Sequence, residues 1–101
     1  MHELAVVNPA ATYIVIASGD SMTGAGIYPG DYLVVDRSLT PGNGDVVIAE
    51  ISGNLTVKTL SFEFGHPVLL PANPAYPTFR PGDGEELIVW GVVRFIGRNL
   101  K

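Results

Sequence analysis

Residues 44–60 read GDVVIAEISGNLTVKTL. Two runs that alternate apolar and polar side chains, 45–51 and 55–60, are joined by Ser52-Gly53-Asn54, and this pattern predicts a β-hairpin over residues 45–60. With a side-chain period of two, Leu55, Val57 and Thr59 point to one side of the second strand and Thr56, Lys58 and Leu60 to the other. On either side of this hairpin the same grammar continues. Apolar runs rich in Val, Ile and Leu occur at 12–17 (TYIVIA), 31–36 (DYLVVD), 67–71 (PVLLP) and 86–96 (ELIVWGVVRFI), separated by Gly, Pro and Asp clusters. Twelve Gly and eight Pro leave no long stretch for an amphipathic helix, only short turns near 2–7 and 22–27, so the class is mostly β.

The 101 residues make one domain, 1–101, with no room for a second and no internal repeat. The chain has no cysteine, which excludes disulfides and thiolate metal sites, and its two histidines, His2 and His66, are too few for a histidine metal centre. No cofactor is implied. Six Lys and Arg against ten Asp and Glu give a net charge of −4, an unfavourable balance for strong direct binding to DNA, which needs a basic face to displace counterions. No apolar run approaches the roughly 20 residues of a membrane span, and MHELAVVNPAA lacks the basic start of a signal peptide. These features predict a soluble, cytoplasmic protein.

Four Gly-Asp pairs, at 19–20, 30–31, 44–45 and 82–83, are read as turns. One of them precedes Ser21, where the run 12–17 gives way to the glycine-rich stretch GDSMTGAGIYPGD. A serine at a strand end, with neighbouring N–H groups free, suits a nucleophile beside an oxyanion hole; the alternative is an ordinary turn serine. A nucleophilic serine needs a base. His2 lies near the terminus and His66 in a Gly-His-Pro turn, whereas Lys58 sits inside an apolar strand, Lys101 being the last residue. A desolvated lysine loses its proton more readily: lowering its pKa from about 10.4 to about 8 costs roughly 3 kcal/mol. The alternative for Lys58 is an edge-strand lysine with its stem packed and its ammonium in water.

Taken together, SGDSM, GIYPGDYLVVDRSL and GDVVIAEISGNLTVKTL resemble the catalytic domain shared by UmuD and LexA, self-cleaving serine peptidases with a Ser-Lys dyad. The resemblance covers roughly residues 9–96 and implies a small fold of twisted antiparallel strands and hairpins with little helix. By the same resemblance Ser21 is the nucleophile and Lys58 the base, 37 residues apart, with the backbone N–H groups of Asp20 and Ser21 holding the oxyanion. LLPANPAYPTF followed by ELIVWGVVRFI looks closer to UmuD and relatives such as MucA than to LexA. This implies a SOS-response, DNA-damage-tolerance protein that self-cleaves its N-terminal arm when stimulated by a RecA filament on single-stranded DNA. The processed homodimer would then serve a UmuC-like DNA polymerase in translesion synthesis.

No Ala-Gly or Cys-Gly bond precedes Ser21, so residues 1–8 are expected to be a remnant of the arm and the chain to lack its own cleavage site. The resemblance also fits a second reading, the dimerisation and autocleavage domain of a LexA-like or phage repressor. A signal-peptidase-like protease ranks below both, because such proteins are membrane-anchored. Met22 is read as lining the cleft or packing in the core, and Trp90 as core or dimer contact. Asp31 and Asp36 are read as ending a strand, and Tyr76 as part of a rigid surface loop without a catalytic role.

Overall fold

The computed structural model describes residues 9–82 and 84–98. The turn expected near 2–7, the arm remnant 1–8, His2, Asp83 and Lys101 lie outside the described residues. Six strands, β1 (Thr12–Ile16), β2 (Tyr32–Asp36), β3 (Val46–Ile51), β4 (Asn54–Glu63), β5 (His66–Leu70) and β6 (Leu87–Gly97), form one sheet in the order β1-β2-β6-β3-β4-β5. Every pairing is antiparallel. The only helical turns among the described residues are two 3-10 turns, Pro9–Ala11 and Thr23–Ala25.

The hairpin of β3 and β4 turns on Ser52 and Gly53, both with positive φ (49° and 85°), and pairs Ile51 with Asn54. Two central residues with positive φ match the right-handed twist of the flanking strands. The burial of β3 differs from the alternation read in its sequence: Val47, Ile48 and Ala49 are all buried. Ile48 packs with Ala17, Met22, Ile27, Leu33 and Val35, while Val47 and Ala49 pack with Leu60, Leu69 and Val92. Successive strand residues face opposite ways, so both faces of the sheet are covered at β3. A strand covered twice carries a continuous apolar run.

β4 runs on to Glu63, past the apolar run at 55–60, because Thr59–Glu63 pairs with β5. Its first half, 54–58, pairs with β3 alone among the described residues. That leaves one backbone edge of β4 open beside Lys58. Trp90, expected in the core or at a dimer contact, is 39% exposed. Its neighbours Val89 and Val92 take the inward positions, and its indole N–H donates to Glu50 Oε1 at 2.9 Å with the Arg37 guanidinium 5.5 Å from the ring centre.

Gly91 marks where β6 passes tightly over β2. A Cβ there would meet Val35 Cγ1 at 2.6 Å and the Asp36 carbonyl oxygen at 3.1 Å, and β3 shifts register next to its partner Ile48. Gly91→Ala is therefore expected to destabilise the fold by about 1–3 kcal/mol through overpacking. Thermal melting reads this as a drop of about 4–8 °C per kcal/mol for a domain of this size.

Candidate active site

Ser21 is placed by the end of β1. Ala17 N–H donates to the Asp31 carbonyl at 2.9 Å and Gly30 N–H donates back to the Ala17 carbonyl at 2.8 Å, closing residues 17–31 into a loop that carries Ser21. Lys58 comes from the half of β4 whose outer edge is open. Its Nζ lies 2.9 Å from Ser21 Oγ, across a sequence separation of 37 residues. The same nitrogen is 2.6 Å from Thr56 Oγ1, two residues back on the same side of the strand, and 3.1 Å from the Val57 carbonyl.

Lys58 is half-buried, and burial pushes its pKa below the ordinary lysine value. Among the described residues no carboxylate lies within ion-pair distance to oppose that shift. Once neutral, the amine has a lone pair to accept the Ser21 hydroxyl proton, and the hydroxyl rotates to donate it. An ammonium hydrogen-bonded to a hydroxyl and an amine accepting from it share one geometry, so the pair can exchange a proton without moving its heavy atoms.

Both groups open onto a cavity of about 400 Å³. One wall is formed by residues 15–21, the other by residues 55–58, with Leu33 and Ile48 behind and Tyr76 at the side. Asp20, Ser21 and Lys58 thus share one site. The N–H groups of Asp20 and Ser21 donate to no acceptor among the described residues. Met22, one of whose two readings placed it in the cleft, is instead 2% exposed in the core against Ala17, Ile27 and Leu33. His66 starts β5 and is exposed away from the cavity lining. Among the described residues no group of three His, Asp or Glu is placed to hold a metal.

The loop that carries Tyr76 is at the surface, as expected, and it is bonded to the serine loop. Gly24 N–H donates to the Ala72 carbonyl at 2.7 Å and Ala72 N–H donates to the Ser21 carbonyl at 2.8 Å. A Cβ on Gly24 would sit 2.3 Å from that Ala72 oxygen, so only glycine allows the two backbones to approach this closely. Asn73 Nδ2 donates to the Asp20 carbonyl at 2.9 Å, and the Tyr76 hydroxyl donates to the Asp20 carboxylate. That carboxylate also pushes the Tyr76 phenol pKa up.

The family model for Peptidase S24-like proteins matches residues 1–94. The chain belongs to the Peptidase S24-like family. It is 52% identical over 85 residues to Protein SamA of Salmonella typhimurium, an alignment covering 84% of this chain and 58% of SamA. To Protein MucA of Escherichia coli it is 44% identical over 94 residues, covering 92% of this chain and 64% of MucA. To the LexA repressor of Alcanivorax borkumensis it is 41% identical over 87 residues, covering 85% of this chain and 41% of the repressor. The chain therefore spans 58–64% of the length of SamA and MucA. The resemblance to the UmuD and MucA branch is borne out, as is the mostly β fold. No helix among the described residues is long and apolar enough to cross a membrane.

In this S24-like domain the far side of the serine loop is fixed by charge. Asp31, 1% exposed, takes two hydrogen bonds from the Arg98 guanidinium (2.8 and 2.7 Å) and one from Tyr28 N–H (2.8 Å). Arg98 also reaches the Gly26 carbonyl at 3.1 Å and lies 5.0 Å from the Tyr28 ring centre. Asp36, at the end of β2, accepts from the Ser38 N–H and hydroxyl, as a strand-ending aspartate does. The Arg98 hydrogen bonds, followed by that from Tyr28, hold the Asp31 carboxyl at a pKa of about 2, against an ordinary 3.8. A depressed carboxyl stabilises the fold above its ordinary pKa and loses that contribution as it protonates. Asp31→Asn is expected to lower the melting temperature at pH 7. The gap to wild type should close as pH falls from about 4 to about 2, where the wild-type carboxyl is itself neutralised.

Proposed function

We propose that this chain is the Ser-Lys peptidase domain of a UmuD-type protein, and the observation that carries this reading is the 2.9 Å contact between Lys58 Nζ and Ser21 Oγ beside an open cavity. Ser21 Oγ attacks the carbonyl carbon of a peptide bond while neutral Lys58 takes the hydroxyl proton. The carbonyl oxygen becomes an oxyanion, received by the N–H groups of Asp20 and Ser21. The tetrahedral intermediate collapses, Lys58 passes its proton to the leaving amine, and an acyl-enzyme on Ser21 remains for water to hydrolyse with Lys58 again as base. The apolar back wall of Leu33 and Ile48 suits a small uncharged residue before the scissile bond. The open edge of β4 at 54–58 can pair with an extended substrate backbone.

In this reading the enzyme is a serine endopeptidase that removes its own N-terminal arm in a cytoplasmic precursor stimulated by a RecA filament. The processed homodimer is an accessory subunit of a UmuC-like, error-prone DNA polymerase. The similarity to SamA and MucA, with MucA covering nearly all of this chain, supports the UmuD branch. The similarity to a LexA repressor supports the second reading, a repressor's autocleavage and dimerisation domain, with the same chemistry at Ser21 and Lys58. A helix-turn-helix encoded upstream in the same reading frame would decide for the repressor.

The test of the chemistry is cleavage in trans of a labelled peptide carrying a Cys-Gly or Ala-Gly bond, followed from pH 6 to 10. The rate is expected to rise with pH as Lys58 loses its proton, and to fall at least about 10³-fold in Ser21→Ala and in Lys58→Ala, since the pair acts as a unit. Cleavage that persists in either variant would contradict the assignment.

A further inference from the structure

Asn73 and Tyr76 both bind Asp20, from a segment the reaction above does not use. A trans peptide is planar, so its C=O and N–H point in opposite directions. The C=O of Asp20 and the N–H of Ser21 belong to the same plane. Asn73 Nδ2 holds that C=O at 2.9 Å, and Thr23 Oγ1 adds a donor at 3.3 Å. Whatever fixes the carbonyl therefore aims the Ser21 N–H the other way.

The amide of Asn73 has its own orientation fixed. Its Oδ1 accepts from Ala75 N–H at 2.9 Å, which leaves Nδ2 as the end that faces Asp20. The Asn73 carbonyl accepts from Tyr76 N–H at 3.0 Å, so the turn that holds Asn73 also sets the position of Tyr76. Tyr76 in turn binds the Asp20 side chain through its hydroxyl while its ring lines the cavity. The backbone bonds between Ala72 and residues 21 and 24 tie the same two segments together. Asp20 is thus gripped at both its carbonyl and its carboxylate from a loop more than fifty residues away in sequence.

We infer that Asn73 and Tyr76 are positioning residues that fix the Asp20–Ser21 peptide plane so that the Ser21 N–H points at the developing oxyanion. Asn73 acts on the backbone and is the stronger of the two. Tyr76 acts through the Asp20 side chain and forms the wall of the substrate cavity. The inference rests on the Ser-Lys reading, and its test separates the two.

Asn73→Ala and Tyr76→Phe are compared with wild type in the trans-cleavage assay across pH, alongside ¹⁵N relaxation of the Ser21 amide and thermal melting. A missing oxyanion donor costs about 10²–10³ in kcat. A misdirected one is expected to cost part of that: about 10–10²-fold in kcat for Asn73→Ala and about 3-fold for Tyr76→Phe. KM should stay within about twofold, and the apparent pKa of the rate should not move, because Lys58 is untouched. The Ser21 amide order parameter should fall from about 0.85 toward 0.6 in Asn73→Ala. Wild-type kcat and an unchanged Ser21 amide in both variants would overturn the inference. So would a loss of activity that appears entirely in KM or follows a shift of the apparent pKa. A wild-type protein that cleaves nothing would overturn the peptidase reading and with it the catalytic purpose of the clamp. In that case the Ser21 amide still decides whether Asn73 fixes the peptide plane.

Discussion

Lys58 is a cation in an apolar strand, and much of the local architecture follows from where its nitrogen is held. Burial lowers its pKa, and three oxygens, from Ser21, Thr56 and Val57, are the polar groups that face it. A lysine needing only a place to rest would keep its stem packed and its ammonium in water. This one is turned inward to a serine hydroxyl. Withdrawing an ammonium from water costs on the order of 1.4 kcal/mol for each pKa unit it is lowered, so the fold carries a local destabilisation at neutral pH. The compensation is a basic amine at a fixed distance from a hydroxyl.

The sheet makes that placement possible. β3 is buried on both faces and pairs with both β4 and β6, so the hairpin that presents Lys58 is anchored at the centre of the sheet. β4 outruns β5, and the stretch before Lys58, paired on its β3 side alone, opens onto the cavity. The serine side is held at two places. Asp31 and Arg98 tie the returning limb of the loop to the end of β6, and the segment 72–76 grips the Asp20–Ser21 peptide from outside. Ser21 thus sits between two independent restraints, one ionic with its carboxylate buried and its guanidinium half exposed, the other built from neutral hydrogen bonds and one carboxylate.

The strands were legible because β-branched runs separated by Gly, Pro and Asp leave few alternatives, and their observed limits fall within a residue of the reading at β1, β2, β3, β5 and β6. β4 was read short because Ser61-Phe62-Glu63 lacks an apolar run; pairing with β5, not burial, makes it a strand. The two buried faces of β3 were written in Val46-Val47-Ile48-Ala49, a continuous apolar run that a reading as alternation passes over. The contact of Ser21 with Lys58 was legible only through the resemblance, since a spacing of 37 residues fixes no distance. Local pattern left two readings for each of Met22 and Trp90: Met22 takes the core reading, drawn in by Leu33 and Ile27, and the phase of β6 turns Trp90 outward, away from the core reading. Asn73 and Tyr76 were missed because PANPAYP has the composition of a surface loop. The one available signal was an amide and a phenol set among prolines, polar groups held rigid with something to bind.

The most direct measurement of the central claim is an NMR titration of the Lys58 side chain, ¹³C-labelled at Cε, in the folded protein and in Ser21→Ala. A midpoint below 10.5 in both proteins, with the fold intact throughout, is the predicted result, because burial rather than the serine sets the shift. A midpoint at or above 10.5 would contradict it. Lys58 would then be an ordinary ammonium donating to Ser21, unable to act as the base at neutral pH.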